Sequence, residues 1–96
     1  ESEKLLKRVV SREPSSQNLT SLAWSQIEQE KYQAAKRNLD KAIRADSENG
    51  LAYNNLGVLY QRMGETKKAK QAFTYATRRD PNNKMFQSNL EQLLSD

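Results

Sequence analysis

Apolar residues recur along this chain at helical spacing, in six stretches separated by turn-forming residues. In residues 3–11, Leu5, Leu6, Val9 and Val10 form a first stripe, and Pro14 follows as its stop. Ser15 or Ser16 is placed to cap a second helix carrying Leu19, Leu22, Ala23 and Ile27. After a break near Glu30-Lys31, a third stripe holds Tyr32, Ala35, Leu39, Ala42 and Ile43, and Ser47-Glu48-Asn49-Gly50 then has the composition of a turn. The fourth stripe, Tyr53, Leu56, Gly57, Leu59 and Tyr60, is expected to end at Gly64, which takes a left-handed backbone without a Cβ penalty. The fifth carries Ala69, Ala72, Phe73 and Ala76. It ends at Asp80-Pro81, because a proline disfavours helical geometry in the residue before it. The sixth has Phe86, Leu90, Leu93 and Leu94 at i, i+4, i+7 and i+8.

These stripes repeat. Leu22-Ala23 returns thirty-four positions later as Leu56-Gly57, Ala35 as Ala69, Leu39 as Phe73, Ala42 as Ala76 and Asp46 as Asp80. A partial third copy begins where Asn55-Leu56 returns as Asn89-Leu90. A fixed period of this size marks a stacked-repeat solenoid, in which each unit's core is completed by its neighbour. The small residues explain the pairing within a unit: Ala23 and Gly57 on first helices face Ala35, Ala42, Ala69 and Ala76 on second helices. Antiparallel helices can then approach at the short end of the usual ~8–10 Å range. Leu39, Phe73 and Tyr60 fill the space beside them, so a bulky residue at Gly57 or Ala76 is expected to overpack at a cost of about 1–3 kcal/mol.

Composition narrows the chemistry. The 96 residues contain no cysteine and no histidine, which removes disulfides, zinc fingers, thiol nucleophiles and imidazole acid–base catalysis. Carboxylates such as Glu28 and Glu30 have no catalytic companion, and Gly50 and Gly64 are turn glycines rather than a phosphate loop. The expectation is a non-enzyme that needs no cofactor, metal or small-molecule substrate. Formal net charge is +4, a scattered excess that suits solubility. No apolar run approaches the roughly 20 residues of a membrane span, and no secretion signal is present. The chain begins at Glu1 rather than Met, which reads as a piece of something longer.

The residues 50–83 resemble the tetratricopeptide repeat, W-x2-L-G-x2-Y, then A-x3-F-x2-A, then P. Tyr53 stands at the Trp place, followed by Leu56-Gly57, Tyr60, Ala69, Phe73, Ala76 and Pro81. Residues 16–49 match through Leu19, Leu22-Ala23, Ala35, Leu39 and Ala42, and depart from the pattern at three places. Gln26 replaces the aromatic, Glu30 the turn glycine and Ser47 the proline. A non-glycine at that turn implies strain of around 1 kcal/mol or a different turn. The resemblance implies an all-α fold: a helical-hairpin solenoid (α-α superhelix) of two full repeats, 16–49 and 50–83, with flanking helices. Residues 2–12 read as the second helix of a preceding partial repeat. Residues 84–96 read as a capping helix or partial third repeat, with Lys84, Gln87, Ser88, Glu91 and Gln92 on a polar face.

The resemblance further implies a protein-binding scaffold whose first helices line a concave groove for a peptide or helix. Here that groove is expected to hold Thr20, Trp24 and Ile27, then Leu51, Asn54, Asn55 and Val58, then Met85 and Asn89, with Gln17, Gln61, Ser88 and Gln92 beside them. Trp24 is the only tryptophan; it reads either as an interface anchor or as a structural cover. Asn55 has donors and an acceptor suited to a peptide backbone, and reads equally as a solvated amide. Some family members clamp two carboxylates with Lys, Asn, Asn, Lys and Arg. Thr20, Trp24, Asn55, Met85 and Asn89 stand at those places, so only Asn55 agrees and a charged chaperone tail meets no cation. Two alternatives stay open. One is nucleic acid on a basic convex face built from Lys31, Lys36, Arg37, Lys41 and Arg44 with Lys67, Lys68, Lys70, Arg78 and Arg79, against which Asp40, Asp46 and Asp80 are interleaved. The other is self-association, in a parent of the bacterial envelope or pilus-assembly type; a cytoplasmic adaptor fits the same residues.

Overall fold

A computed structural model describes residues 15–95, so the stripe over residues 3–11 and its reading as a helix lie outside the described residues. Five helices follow one another: α1 (Ser16–Glu28), α2 (Tyr32–Ala45), α3 (Gly50–Arg62), α4 (Thr66–Arg79) and α5 (Lys84–Ser95). The fold is all-α, as the periodicity predicts. Consecutive helices pair as hairpins, and α1 also packs on α3, so α1, α3 and α5 form one layer with α2 and α4 behind it.

The turn within each hairpin has one shape in both repeats, although the sequences differ. At the end of α3, the Glu65 N–H donates to the Tyr60 carbonyl at 2.8 Å and the Gly64 N–H to the Gln61 carbonyl at 3.1 Å. This is a Schellman turn, and Gly64 sits at φ 80° with no heavy atom near the place a Cβ would occupy. At the end of α1, Lys31 donates to Gln26 at 2.8 Å and Glu30 to Ile27 at 2.9 Å. Glu30 takes the glycine position at φ 62°, so the strained alternative in the sequence reading is the one adopted.

The start of each first helix is periodic too. Ser15 Oγ accepts from the Asn18 N–H, Asn49 Oδ1 from Ala52 and Asn83 Oδ1 from Phe86, at 3.1, 3.0 and 3.1 Å. The three caps stand thirty-four residues apart, each satisfying an orphan donor of the first turn. Asn49 does more than cap. Its Nδ2 donates to Ser16 Oγ at 2.8 Å and Thr20 Oγ1 at 3.1 Å, while Ser16 Oγ donates to the Ala42 carbonyl at 2.7 Å. One amide thereby joins the start of α3 to α1 and, through Ser16, to the end of α2.

The core runs between the layers. Leu19, Leu22, Ala23, Ile27, Ala35, Leu39 and Ala42 are buried in the first hairpin, and Ala52, Leu56, Leu59, Ala69, Ala72, Phe73 and Ala76 in the second. A Cβ built on Gly57 would lie 2.5 Å from the Phe73 ring, which is why only glycine lets α4 seat so deeply there. Tyr53 stacks on Tyr75 with centroids 4.0 Å apart, closing the other edge of the α3–α4 pair. In the first hairpin the missing aromatic is replaced by a polar pair. Gln26, 2% exposed, accepts from Asn38 Nδ2 at 2.8 Å, where the second hairpin has Tyr60 and Ala72 one period later. The departure at Gln26 is therefore matched by a second change that satisfies its amide.

Candidate functional site: an uncharged groove across the first layer

A groove of about 460 Å³ crosses the layer of α1, α3 and α5. It is lined by Thr20, Ser21 and Trp24 of α1, Leu51, Asn54, Asn55 and Val58 of α3, and Met85 and Asn89 of α5. The geometry follows from helical period: Thr20 and Trp24 are one turn apart, and Leu51, Asn55 and Val58 stand at i, i+4 and i+7. Because α1 and α3 are copies in register, these side chains emerge on one side of the layer.

Eight of the nine residues expected at the groove from the sequence line it, and one does not. Ile27 is fully buried in the core. It falls on the α2 side of α1, at i+4 from Ala23, and packs with Leu39 and Leu59 rather than facing a ligand. Ser21 was not foreseen; its place one turn before Ser25, at i+1 from Thr20, is the signal that could have found it. Gln17, Gln61, Ser88 and Gln92 are exposed but lie outside the lining.

The apolar walls come from Trp24, Leu51, Val58 and Met85. Trp24 is 41% exposed and Leu51 44% exposed. Burying such area on a partner is the usual source of interface energy. The polar groups of the floor are used in part by the protein itself. Thr20 Oγ1 donates to the Ser16 carbonyl at 2.8 Å and accepts from Asn49. Asn89 Nδ2 donates to Asn54 Oδ1 at 2.9 Å, which also ties α5 to α3. Asn55 differs: it is 5% exposed, yet its amide makes no hydrogen bond with any described residue. What exposure it keeps is toward the groove it lines.

Electrostatically the layer is neutral. Along α1 and α3 the only charged side chains are Glu28 and Arg62, and these pair with each other at 3.3 Å. The second layer is the reverse, with nine cations on α2 and α4 against the single Asp40. Lys36 bonds Asp40 at 2.8 Å, and that hydrogen bond holds the Lys36 ammonium above its ordinary pKa against the effect of burial. A depression of about 530 Å³ also lies there, but every described residue lining it is on α4. It is larger than the groove and encloses less, since one helix cannot provide facing walls. Among the described residues no cluster of His, Cys, Asp or Glu is able to hold a metal ion. No described helix is long and apolar enough to cross a membrane.

Comparison with known proteins agrees with this architecture. Two family models, each described as "Tetratricopeptide repeat", match residues 50–83 and residues 16–49. Among solved structures, one described as "Crystal structure of MamA" superposes with a TM-score of 0.84 at 24% identity. That match covers 97% of this chain and 55% of the other, so this chain spans about half the length of that relative. No curated protein matches significantly.

Proposed function

Because the chain belongs to the tetratricopeptide repeat family, we propose that its groove holds a protein partner and that it serves a larger assembly by holding proteins together, without catalysis. Modules of this family and fold are protein-interaction scaffolds in general. One observation carries the finer reading. Trp24, Leu51, Val58 and Met85, from three helices, meet in one open groove around Asn55, whose amide has no partner among the described residues. That is the pairing of apolar anchors and a few placed polar groups which recognition sites use. None of the lining side chains titrates, and the chain has no His or Cys, so the groove offers binding without acid–base or nucleophilic chemistry.

The stack is proposed to comprise repeats at 16–49 and 50–83 and to close with residues 84–96 as a cap. Glu91 stands one period after Gly57, where a Cβ would already meet Phe73. A further helix could not seat on α5 as α4 seats on α3. Affinity capture tests the groove. Wild type, Leu51→Glu and the triple charge reversal Lys67→Glu/Lys70→Glu/Arg78→Glu would be compared by quantitative mass spectrometry. Partners lost with Leu51→Glu and kept with the triple reversal support the groove; the opposite pattern contradicts it.

A second reading has its own observation. Arg37, Lys41, Arg44, Lys67, Lys70 and Arg78 make no ion pair among the described residues, and their periodic places put them on one side of the second layer. Such a face suits a polyanion such as nucleic acid. That reading requires oligonucleotide affinity falling steeply with salt, and a flat or absent response removes it.

A further inference from the structure

We propose that the second layer holds an acidic protein segment, its carboxylates on the cations of α2 and α4 and one aliphatic or aromatic side chain seated between those helices. The proposal rests on the basic face of the second reading, not on the groove, and names a protein as the polyanion there. The seat comes from helix packing. Both α2 and α4 pack on α3 but not closely on each other, so a furrow between them opens onto α3. A depression of about 370 Å³ lies in it, lined by Tyr53, Leu56 and Tyr60 of α3 and by Gln71, Ala72 and Tyr75 of α4. Tyr60 is close enough to Lys36 of α2 to act on its charge. The larger depression has its described lining on α4 alone, whereas this one has walls from two helices. Leu56, Ala72 and the ring carbons make an apolar floor, which a side chain of the same character would cover favourably.

The banks of the furrow supply charge. Arg37 and Arg44 stand two turns apart on α2, and one period later the same places hold Gln71, which lines the depression, and Arg78. The two helices therefore turn the same side outward, with Arg37 and Arg44 on one bank and Lys67 and Arg78 on the other. None of these four makes an ion pair among the described residues. Nearer the floor the cations are answered within the protein, Lys36 by Asp40 at 2.8 Å and Lys68 by Glu65 at 3.2 Å. Asp40 is the only acid on either helix, so an anion over the furrow meets unanswered positive charge on both sides. The rings favour a protein over a nucleic acid. Bases would bind here by stacking, but Tyr53 and Tyr75 lie against each other with centroids 4.0 Å apart, and the Lys68 ammonium stands 5.7 Å over the Tyr60 ring. A flat anionic bilayer would meet the banks and leave the recessed floor uncovered. Because the furrow lies in the layer behind the groove, one module can hold a neutral partner and an acidic one at once.

Fluorescence anisotropy on the 96-residue chain tests this with labelled probes of matched length. They are an Asp/Glu-rich peptide with a central leucine, the same peptide with a central serine, the leucine peptide with every carboxylate replaced by its amide, and a single-stranded oligothymidylate. Phosphatidylserine vesicles are assayed beside them by co-sedimentation. Two variants are compared with wild type, with circular dichroism confirming the fold: Arg44→Glu/Arg78→Glu, and Tyr75→Lys, which copies Lys41 one period earlier. The leucine-centred acidic peptide is expected to bind about fivefold tighter than the serine one, from partial burial of its side chain. The amide peptide is expected not to bind. Arg44→Glu/Arg78→Glu should weaken the acidic peptides about tenfold by turning attraction into repulsion. Tyr75→Lys should level the leucine and serine peptides while keeping the preference for acid. Equal binding of those two peptides to wild type, a leucine advantage that survives Tyr75→Lys, or indifference to Arg44→Glu/Arg78→Glu would overturn the proposal. Oligothymidylate or vesicles bound through Arg44 and Arg78, with no acidic peptide bound, would overturn it and leave the basic face a site for another polyanion. If no probe binds, both fall.

Discussion

Glu30 and Gly64 occupy the same left-handed position in two copies of one turn, at φ 62° and 80°. An L-residue with a Cβ pays about 1–2 kcal/mol there, while glycine pays more entropy on folding. Glu30→Gly is therefore expected to raise stability by about 0.5–1 kcal/mol, and Gly64→Ala to lower it by about 1 kcal/mol, read as shifts of the urea midpoint at constant slope. Gln26 and Asn38 make a second residue-scale test. Gln26→Leu strands the Asn38 amide and is expected to cost about 1–3 kcal/mol. Importing the other repeat's solution, Gln26→Tyr with Asn38→Ala, should cost less than the sum of its two single changes; additive costs would show the pair to be uncoupled. The sequence showed Gln26 as a departure from the aromatic pattern. It could not show the compensation, because Asn38 lies on a different helix and forms no local motif with it.

Helix boundaries are set by caps more than by propensity. Ser15, Asn49 and Asn83 recur at the same spacing as the core residues, so each first helix starts in the same register. Asn49 both caps and bridges. Its replacement by alanine is expected to cost about 1–2 kcal/mol, which the unfolding curve would report, and to speed amide exchange at Ala52. Ser47 and Glu48 were legible as a turn by composition, whereas Gly50, read with them as a turn glycine, is the buried first residue of α3; the bonds from Asn49 to Ser16 and Thr20 needed the stacked repeats. The groove shows the same division. The family resemblance placed Thr20, Trp24, Leu51, Asn54, Asn55, Val58, Met85 and Asn89 along one groove, whose lining includes them, and also named Ile27, which is buried in the core. Ile27 stands one turn after Ala23 on the buried stripe of α1, and the core cluster that also holds Leu39 and Leu59 claims it.

Across the whole molecule, charge separates by layer: neutral where α1, α3 and α5 form the groove, cationic on α2 and α4. Binding in the groove is accordingly expected to change by less than about twofold between 50 and 500 mM salt, because no lining side chain is charged. It should be equally flat from about pH 6 to 9, with no histidine in the chain to titrate. Calorimetric titrations across both series check this. Stability behaves differently in alkali. Lys36 is raised by its bond to Asp40, and Tyr53 by burial and then by Tyr75. Both contributions are whole below the ordinary values of 10.5 and 10.0 and fade as pH climbs through the raised ones. In the proposed complex the partner sits against Trp24, the only tryptophan in the chain and an exposed one. Acrylamide quenching of its fluorescence, with and without saturating bound partner, tests this most directly. A blue-shifted emission and a quenching constant reduced at least threefold are expected. An unchanged constant in a fully bound complex would place the partner elsewhere and contradict it.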